Sequence, residues 1–214
     1  MRSGNASYIF ASALCSFQEL RDVDPADHGQ PDTPRADGVG IGQYVDTYRN
    51  ICGKSFFQGW PEVIGIFPTV IIRPGKPNAA ASSFASGVFR EPLNGVECLL
   101  PVGLDTVMPV AGYRTIVEGF QRLYEADGSA LGDDRAVGFP AMDASVEAMI
   151  AALKRVAANR KLGAIRHQRD PAIEHIVAGW PTGTSFERAL ALGLPRDPDL
   201  DSIVRAYIED FLAG

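Results

Sequence analysis

The sequence predicts an α/β protein, and three observations support this class. Near-continuous apolar runs at 8–17 and 63–72 have the length and composition of buried parallel strands. Apolar stripes at helical spacing alternate with strand-like runs along the rest of the chain. Apolar residues make up 46% of the 214 residues, which is enough for one sizeable core. Alternating strands and helices are typical of a largely parallel sheet covered by helices.

The first third of the chain predicts two strands separated by a loop and a helix. Residues 8–17 are expected to form a buried strand that runs into a turn. The segment 22–40 is rich in Asp, Pro and Gly and has no periodicity, so we expect a loop there. Residues 41–58 carry an apolar stripe at helical spacing and predict a helix. The run 63–72 predicts the central strand, which ends in the Pro/Gly turn at 74–77.

Six helices and three short strands are predicted beyond this turn. In chain order they are helix 82–90, strand 97–102, helix 113–124, strand 135–139, a helix capped by Asp143, strand 161–168, helix 171–178, a short helix ending at Gly193, and helix 199–212. Thr184-Ser-Phe-Glu187 matches a capping box and should start the short helix. The apolar stripes place Val117 and Tyr124 on a buried helical face, and they place Phe211 inward as well.

The composition argues against several classes of partner. The net charge is −6 and there is no basic run, so we expect no nucleic-acid partner. No apolar run approaches the roughly 18 residues of a membrane span, so we expect no membrane partner. The three cysteines, Cys15, Cys52 and Cys98, lack metal-ligand spacing. We therefore expect reduced thiols, no metal site and a cytoplasmic protein.

A cluster of polar residues follows the predicted strand at 63–72. Arg73, Lys76 and Asn78 stand in or beside its Pro/Gly turn, and Arg90 follows in the next predicted helix. Because open α/β sheets bind ligands at the carboxyl ends of their strands, we expect a polar ligand here. The planar fork of Arg73 suits a carboxylate, although an arginine in this place equally suits bonds to loop carbonyls. Lys76 is interpreted as a solvated loop charge.

Several segments from Pro68 onward carry a family resemblance. They include Arg73-Pro-Gly-Lys-Pro-Asn78, Ser86-Gly-Val-Phe-Arg-Glu-Pro-Leu-Asn-Gly95, Asp170-Pro-Ala-Ile-Glu174, Gly179-Trp-Pro181 and Ile203-Val-Arg-Ala-Tyr-Ile-Glu-Asp210. The chain resembles the extended short-chain dehydrogenase/reductases, also called the NAD-dependent epimerase/dehydratase superfamily. Within it, the chain resembles the branch of sugar-acid dehydrogenases that includes D-erythronate dehydrogenase. The resemblance implies the C-terminal part of an extended Rossmann-type sheet at 1–72 and a small α/β substrate-binding lobe at 73–214.

The resemblance also implies roles for individual residues. Pro68 and Thr69 would lie beside the nicotinamide of NAD, although both residues equally suit a plain strand end. Arg73, Asn78 and Arg90 would contact a small-molecule sugar acid. The implied activity is that of an NAD-dependent oxidoreductase or epimerase of carbohydrate metabolism.

Motifs that this family uses are missing from the sequence. The family begins with a glycine-rich turn that binds the nucleotide, and the one glycine cluster in this sequence is at 38–42. This cluster has Gln43 in place of the third glycine of the turn, and it follows a loop rather than a strand. No Tyr-x-x-x-Lys pair occurs, and a phenol with a pKa of about 10 is no base at neutral pH without such a lysine. Tyr44, Tyr48 and Lys54 are weak substitutes that need a gapped alignment. Ala13 falls where the family has its catalytic hydroxyl.

Two functions stay open on this basis. The first is a truncated sugar-acid dehydrogenase or epimerase homologue that is inactive alone. The second is a non-catalytic binding module or a half-enzyme, which would form a homodimer or dock with a separate nucleotide-binding half. A hydrolase is unsupported, because no Gly-x-Ser-x-Gly elbow surrounds Ser83 or Ser86.

Overall fold

The computed structural model describes residues 8–13, 62–77, 80–132 and 135–212, and strands and helices alternate along these ranges. The strands are β1 (Tyr8–Ala13), β2 (Glu62–Phe67), β3 (Thr69–Ile71), β4 (Cys98–Leu100), β5 (Val107–Gly112), β6 (Ala136–Gly138), β7 (Met142–Ser145) and β8 (Ile165–His167). The helices are α1 (Ser83–Leu93), α2 (Tyr113–Glu125), α3 (Gly128–Leu131), α4 (Val146–Ala157), α5 (Pro171–Ala178), α6 (Glu187–Ala191) and α7 (Leu200–Phe211).

The described strands form three small sheets. β1, β2 and β6 lie side by side in that order, and both pairings are parallel. In the second sheet, β5 lies between β3, which is parallel to it, and β7, which is antiparallel. β4 and β8 form a separate parallel pair. These sheets, with helices between their strands, confirm the α/β class that the sequence predicts.

Pro68 divides the apolar run at 63–72, which the sequence predicts as one strand. The run forms β2 up to Phe67 and β3 from Thr69, and the two strands belong to different sheets. Proline has no backbone N–H, so it cannot donate to a β-ladder and favours such a break. The prediction of a single central strand is therefore wrong, and Pro68 is the point where the chain passes from one sheet to the next.

Helix α1 lies within the main core. Nine of its 11 residues are buried, as expected for a helix with packed elements on most sides. Phe84, Val88 and Phe89 pack in the same cluster of buried residues as Ile71 and Ile72, which end and follow β3. α1 thus packs directly beneath the carboxyl end of β3. The division of the chain into two units at residue 72 stays a prediction.

A second cluster lies between β2 and α2. The rings of Phe67, Phe120 and Phe139 contact one another, with centroid separations of 4.6 to 5.4 Å. Gly119 faces the Phe139 ring so closely that an added Cβ would lie 2.6 Å from Cε1. This glycine lets α2 approach the sheet.

Two predicted helix starts are wrong. The Ser145 hydroxyl, rather than Asp143, caps α4 by accepting from the Ala148 N–H at 3.1 Å. Asp143 lies in β7 instead, two residues before this cap. The capping box at 184–187 does not form, because α6 begins at Glu187 without a side-chain cap.

Two helical faces also differ from the prediction. Val117 and Tyr124 are exposed, at 55% and 50%, while α2 buries Ile116, Gly119 and Leu123. Phe211 is 46% exposed and covers Tyr207 with its ring rather than entering the core. The predicted loop at 22–40 and helix at 41–58 lie outside the described residues.

Candidate functional site

The carboxyl ends of β3 and β5 lie side by side. Ile71 of β3 is paired with Gly112 of β5 in a parallel ladder, so Arg73 follows directly at the carboxyl edge of this sheet. In the neighbouring sheet, Ala13 is paired with Phe67, which precedes Pro68. The predicted cofactor residues Pro68 and Thr69 thus follow the end of β2, and the predicted substrate residue Arg73 follows the end of β3 in the other sheet.

The predicted site residues fall into three groups. Pro68 and Thr69 are buried in the passage from β2 to β3. Arg73 and Arg90 lie close together, since the Arg90 side chain bonds the Arg73 carbonyl. Tyr44, Tyr48, Lys54 and Asn78 are outside the described residues, so their roles stay predictions.

Ser86 of α1 fastens the turn that follows β3. Its side chain is 1% exposed. Its Oγ accepts a hydrogen bond from the Arg73 N–H at 3.2 Å and donates to the Val70 carbonyl at 3.4 Å. The hydroxyl thus bonds one backbone group within β3 and one just beyond its end, where buried polar groups need hydrogen-bond partners.

Arg90 of α1 is 6% exposed, and its guanidinium points to protein groups. Its Nη1 donates to the Arg73 carbonyl at 2.9 Å, and its Nη2 donates to Glu91 Oε1 at 2.6 Å. Burying a guanidinium is unfavourable unless an opposite charge accompanies it, and Glu91 supplies that charge. Glu91 Oε2 is buried without a hydrogen-bond partner among the described residues.

Arg73 differs from Arg90 in how its charge is used. Its backbone N–H and carbonyl are both bound by α1, as described above. Arg73 as a residue is half-buried, and its guanidinium makes no hydrogen bond or ion pair within the described ranges. By contrast, Arg155 and Arg166 each pair with a carboxylate at the surface. In a chain of net charge −6, a guanidinium without a carboxylate partner suits an anionic ligand.

The beginning of α2, at the same edge, is already occupied by a carboxylate. Asp197 accepts from the Gly112 N–H at 2.7 Å and from Thr115 Oγ1 at 2.6 Å. Asp197 thus caps α2 from the loop before α7, because Gly112 has no side chain to do so. This leaves the side chain of Arg73, rather than the helix N-terminus, to receive an anion.

The first two residues of α2 join this helix to the last one. The Tyr113 hydroxyl and the Arg114 guanidinium both bind the Asp210 carboxylate of α7. The bond from Arg114, followed by that from Tyr113, lowers the Asp210 pKa to about 2. Burial, followed by the bond to Asp210, raises the Tyr113 pKa to about 12. These groups hold two helices together and are not poised for proton transfer near neutral pH.

A shallow groove of about 610 Å³ runs along the outer surface of α2. Its described lining comes from this helix alone and includes Arg114 and Arg122. Both arginines are paired, Arg114 with α7 and Arg122 with Glu118 at 3.2 Å. The groove is therefore a weaker candidate for an anion than the edge beside Arg73.

Other chemistry has little support in the described part of the chain. Cys98 is a free, buried thiol, and burial is the first cause that raises its pKa to about 11. Such a thiol is a poor nucleophile, because the reactive form is the thiolate. The residues described contain no group of three or more His, Cys, Asp or Glu side chains arranged to hold a metal ion. None of their helices has the length and apolar character needed to cross a membrane.

Some residues of this site have no role in the sequence-based prediction. In the sequence Ser86 is considered only as a hydrolase nucleophile, and it lacks the motif for that role. Its spacing of four residues from Arg90 nevertheless places both side chains on one helical face, and this spacing is a usable signal that they act together. Glu91 is adjacent in sequence to Arg90 and is its ion-pair partner. Asp197 gives no local signal, because its partners lie more than 80 residues earlier in the chain.

Comparisons with known proteins give consistent results. The chain is 44% identical over 143 residues to a D-erythronate dehydrogenase of Cupriavidus necator, covering 67% of this chain and 44% of that protein. It is 33% identical over 156 residues to a D-erythronate dehydrogenase of Haemophilus influenzae, covering 73% of this chain and 49% of that protein. The chain thus spans about half the length of the curated relatives it matches. No family model matches it.

Solved structures agree with these relatives. A nucleoside-diphosphate-sugar epimerase from Agrobacterium tumefaciens superposes with a TM-score of 0.68 at 34% identity, covering 79% of this chain and 48% of that one. A GalE-like L-threonine dehydrogenase from Cupriavidus necator superposes with a TM-score of 0.69 at 15% identity, covering 95% and 72%, and shows likeness of fold alone. The partial coverage fits the C-terminal portion of a Rossmann-type fold that the sequence predicts.

Proposed function

We propose that this chain, which belongs to the NAD-dependent epimerase/dehydratase superfamily, is the substrate-binding part of a sugar-acid dehydrogenase. The observation that carries the proposal is the Arg73 guanidinium, which lies at the carboxyl edge of β3 without a protein partner in the described ranges. The similarity to two D-erythronate dehydrogenases supports a short hydroxy acid as the ligand. In this proposal Arg73 binds the carboxylate through two parallel N–H donors.

The fixed backbone of Arg73 suits this role. Ser86 and Arg90 hold its N–H and carbonyl, so the side chain starts from an ordered position. A preorganised cation loses less conformational entropy on binding than one on a free loop. Asn78, five residues on in the sequence, is proposed to contact the ligand hydroxyls. The proposal assigns Arg90 to the protein side of the site, because its two described side-chain bonds are internal.

NAD is the proposed cofactor of the complete enzyme, in which it would accept the hydride. The residues of this chain do not fit NAD alone. Pro68 and Thr69, which the resemblance places beside the nicotinamide, are buried, and the glycine cluster at 38–42 lacks the fingerprint of a pyrophosphate turn. No Tyr-x-x-x-Lys pair stands anywhere in the sequence. We therefore propose that this chain is inactive alone.

Titration of the purified chain with D-erythronate, followed residue by residue by NMR, tests the carboxylate site. We expect saturable shifts around Arg73, and weaker binding of erythritol, which has hydroxyls but no carboxylate. Arg73→Met should weaken D-erythronate binding roughly 10- to 100-fold, because a hydrogen bond to a charged group contributes about 1.5–3 kcal/mol. Arg166→Met is the matched control, since Arg166 pairs with Glu97 at the surface. Equal affinities for D-erythronate in all three proteins would refute the proposal.

A second titration, with NAD⁺ and NADH, tests the dependence on another unit. We expect no saturable binding by this chain in a sample shown by circular dichroism to be folded. Micromolar binding would show that the chain has a cofactor site of its own. Tyr44, Tyr48 and Lys54 would then be the first residues to substitute.

A non-catalytic interaction module is the second candidate, and the position of β1 favours it. β1 pairs with β2 along one side, and no described strand pairs with its other side. An unpaired strand edge is a template for another chain, so a nucleotide-binding half or a second copy is the proposed partner. Size-exclusion chromatography with light scattering tests this, because a monodisperse monomer that binds D-erythronate would favour the first candidate. A cytoplasmic location, expected from the cysteines, is part of either proposal.

A further inference from the structure

Two side chains of one helix hold the backbone of Arg73 from both sides. Its N–H donates to Ser86 Oγ at 3.2 Å, and its carbonyl accepts from Arg90 Nη1 at 2.9 Å. Ser86 and Arg90 are four residues apart in α1, which places them on the same helical face. The Ser86 hydroxyl proton is directed to the Val70 carbonyl, so the bonds span the turn from the end of β3 to Arg73.

One of these bonds comes from a charged side chain that is itself buried. Arg90 is 6% exposed, and its charge is compensated by Glu91, whose side chain is 14% exposed. A neutral donor would also bind a carbonyl without this requirement for a buried partner charge. Because buried ion pairs are often no more stabilising than apolar groups of similar volume, the pair is better explained by geometry than by stability.

The residue held in this way is the one whose side chain is unpaired. The Arg73 guanidinium has no protein partner in the described ranges, while both of its backbone polar groups are bound. We infer that Ser86 and Arg90 are positioning residues, which fix the Arg73 backbone so that its guanidinium meets the ligand carboxylate in one orientation. This inference rests on the proposed function, because it requires that Arg73 binds the carboxylate. It predicts that loss of the clamp weakens carboxylate binding without removing any group that contacts the ligand.

Ser86→Ala is the principal test, because it removes one side of the clamp and leaves the Arg90–Glu91 pair intact. Ser82→Ala is the matched control, since Ser82 is also buried beside α1 but its side chain makes no capping bond. Two quantities are measured in each protein by NMR. One is the hydrogen-exchange rate of the Arg73 amide without ligand, and the other is the dissociation constant for D-erythronate.

We expect Ser86→Ala to raise the exchange rate of the Arg73 amide about tenfold or more, because its hydrogen bond is lost. We expect the dissociation constant for D-erythronate to rise about three- to tenfold, and that for erythritol to stay constant. Ser82→Ala should change neither quantity. Arg90→Lys, which keeps the charge beside Glu91, should weaken D-erythronate binding in the same direction.

The outcomes distinguish this inference from the proposed function. If the unsubstituted chain does not bind D-erythronate, the proposed function fails and the inference fails with it. If it binds, and Ser86→Ala binds equally well while the Arg73 amide exchanges faster, the positioning role alone is refuted. If the Arg73 amide exchanges at an unchanged rate in Ser86→Ala, the clamp itself is refuted, whatever the affinity.

Discussion

Replacement of Arg90 by methionine should destabilise this protein far more than replacement of a surface arginine. Arg90 makes two described side-chain bonds, to the Arg73 carbonyl at 2.9 Å and to Glu91 Oε1 at 2.6 Å. The Arg90 side chain is buried, at 7% exposure, and the Glu91 side chain is mostly shielded from solvent, at 14%. Methionine fills similar space but leaves the Glu91 carboxylate without its charge partner.

The size of the effect follows from what is left unpaired. Glu91 Oε2 already lacks a hydrogen-bond partner among the described residues, so Arg90→Met would leave both carboxylate oxygens unsatisfied. Breaking a buried ion pair by removing one partner costs about 3–5 kcal/mol. Against a total stability of about 5–15 kcal/mol, this is a large fraction. With a urea m-value of about 2.5 kcal/mol/M, the unfolding midpoint should fall by about 1–2 M.

Urea unfolding, monitored by circular dichroism, measures the shift of the midpoint in Arg90→Met. Two further variants are measured in the same way. Arg155→Met is the control, because the exposed pair of Arg155 with Asp201 should contribute only about 0–1 kcal/mol. The double variant Arg90→Met with Glu91→Leu removes both charges, and it should be more stable than Arg90→Met alone. A loss below about 1 kcal/mol for Arg90→Met, or a double variant less stable than this single one, would refute the reasoning about a buried, mutually dependent pair.

Three other predictions follow from the packing and the charges. Gly119→Ala should destabilise the protein by about 1–3 kcal/mol in urea unfolding, because the new Cβ would lie 2.6 Å from the Phe139 ring; an unchanged midpoint would contradict this close packing. Asp210→Asn should lower the thermal midpoint at pH 6 and by much less at pH 2. The Asp210 carboxylate has a pKa of about 2 in the folded protein against about 3.9 in the unfolded chain, so it stabilises the fold above the unfolded value and loses most of this effect as the pH falls to 2. A difference between the two proteins that is as large at pH 2 as at pH 6 would exclude the carboxylate as its cause. Cys98, with a pKa of about 11 and 4% exposure, should resist thiol reagents at pH 8 until the protein unfolds; peptide mapping of labelled thiols checks this, and fast labelling of native Cys98 would show it to be accessible.

The sequence predicts best the elements whose ends carry their own signals. α5 occupies the predicted range, because Pro171 stands at its first turn and Asp170 caps it by accepting from two backbone N–H groups. The predicted start of α4 is wrong because Asp143 of β7 pairs with Pro109 of β5, so the backbone of Asp143 is extended rather than helical. Nothing near Asp143 in the sequence indicates that long-range pairing.

Strand β5 is missed for a related reason. Pro109 in its middle argues against a central strand. In the structure this proline lies outside the part of β5 that pairs with β3, which begins at Val110. The missing N–H of Pro109 therefore breaks no bond on that side. Local sequence rules cannot show which residues of a strand have neighbours on both sides.

The candidate site shows the same division between what is local and what is not. The sequence identifies Arg73 and Arg90 as polar groups near a strand end, but it treats both as ligand contacts. Their burial and partners separate them, since Arg90 binds inward to Glu91 and to the backbone of Arg73. The roles follow from contacts between residues 17 positions apart, which no pattern in either segment specifies.

Gly87 connects these contacts to the choice of residues in α1. A glycine inside a helix costs about 1 kcal/mol relative to alanine. Here an added Cβ would lie 3.1 Å from Glu91 Oε2, so alanine would press on the carboxylate that balances Arg90. The small residue next to Ser86 therefore leaves room for the ion pair, and the ion pair in turn holds the carbonyl of Arg73. The segment from Ser86 to Glu91 therefore acts as one unit. It accepts a helix weakened by a glycine, and in return it fixes the position of Arg73 at the edge of the sheet.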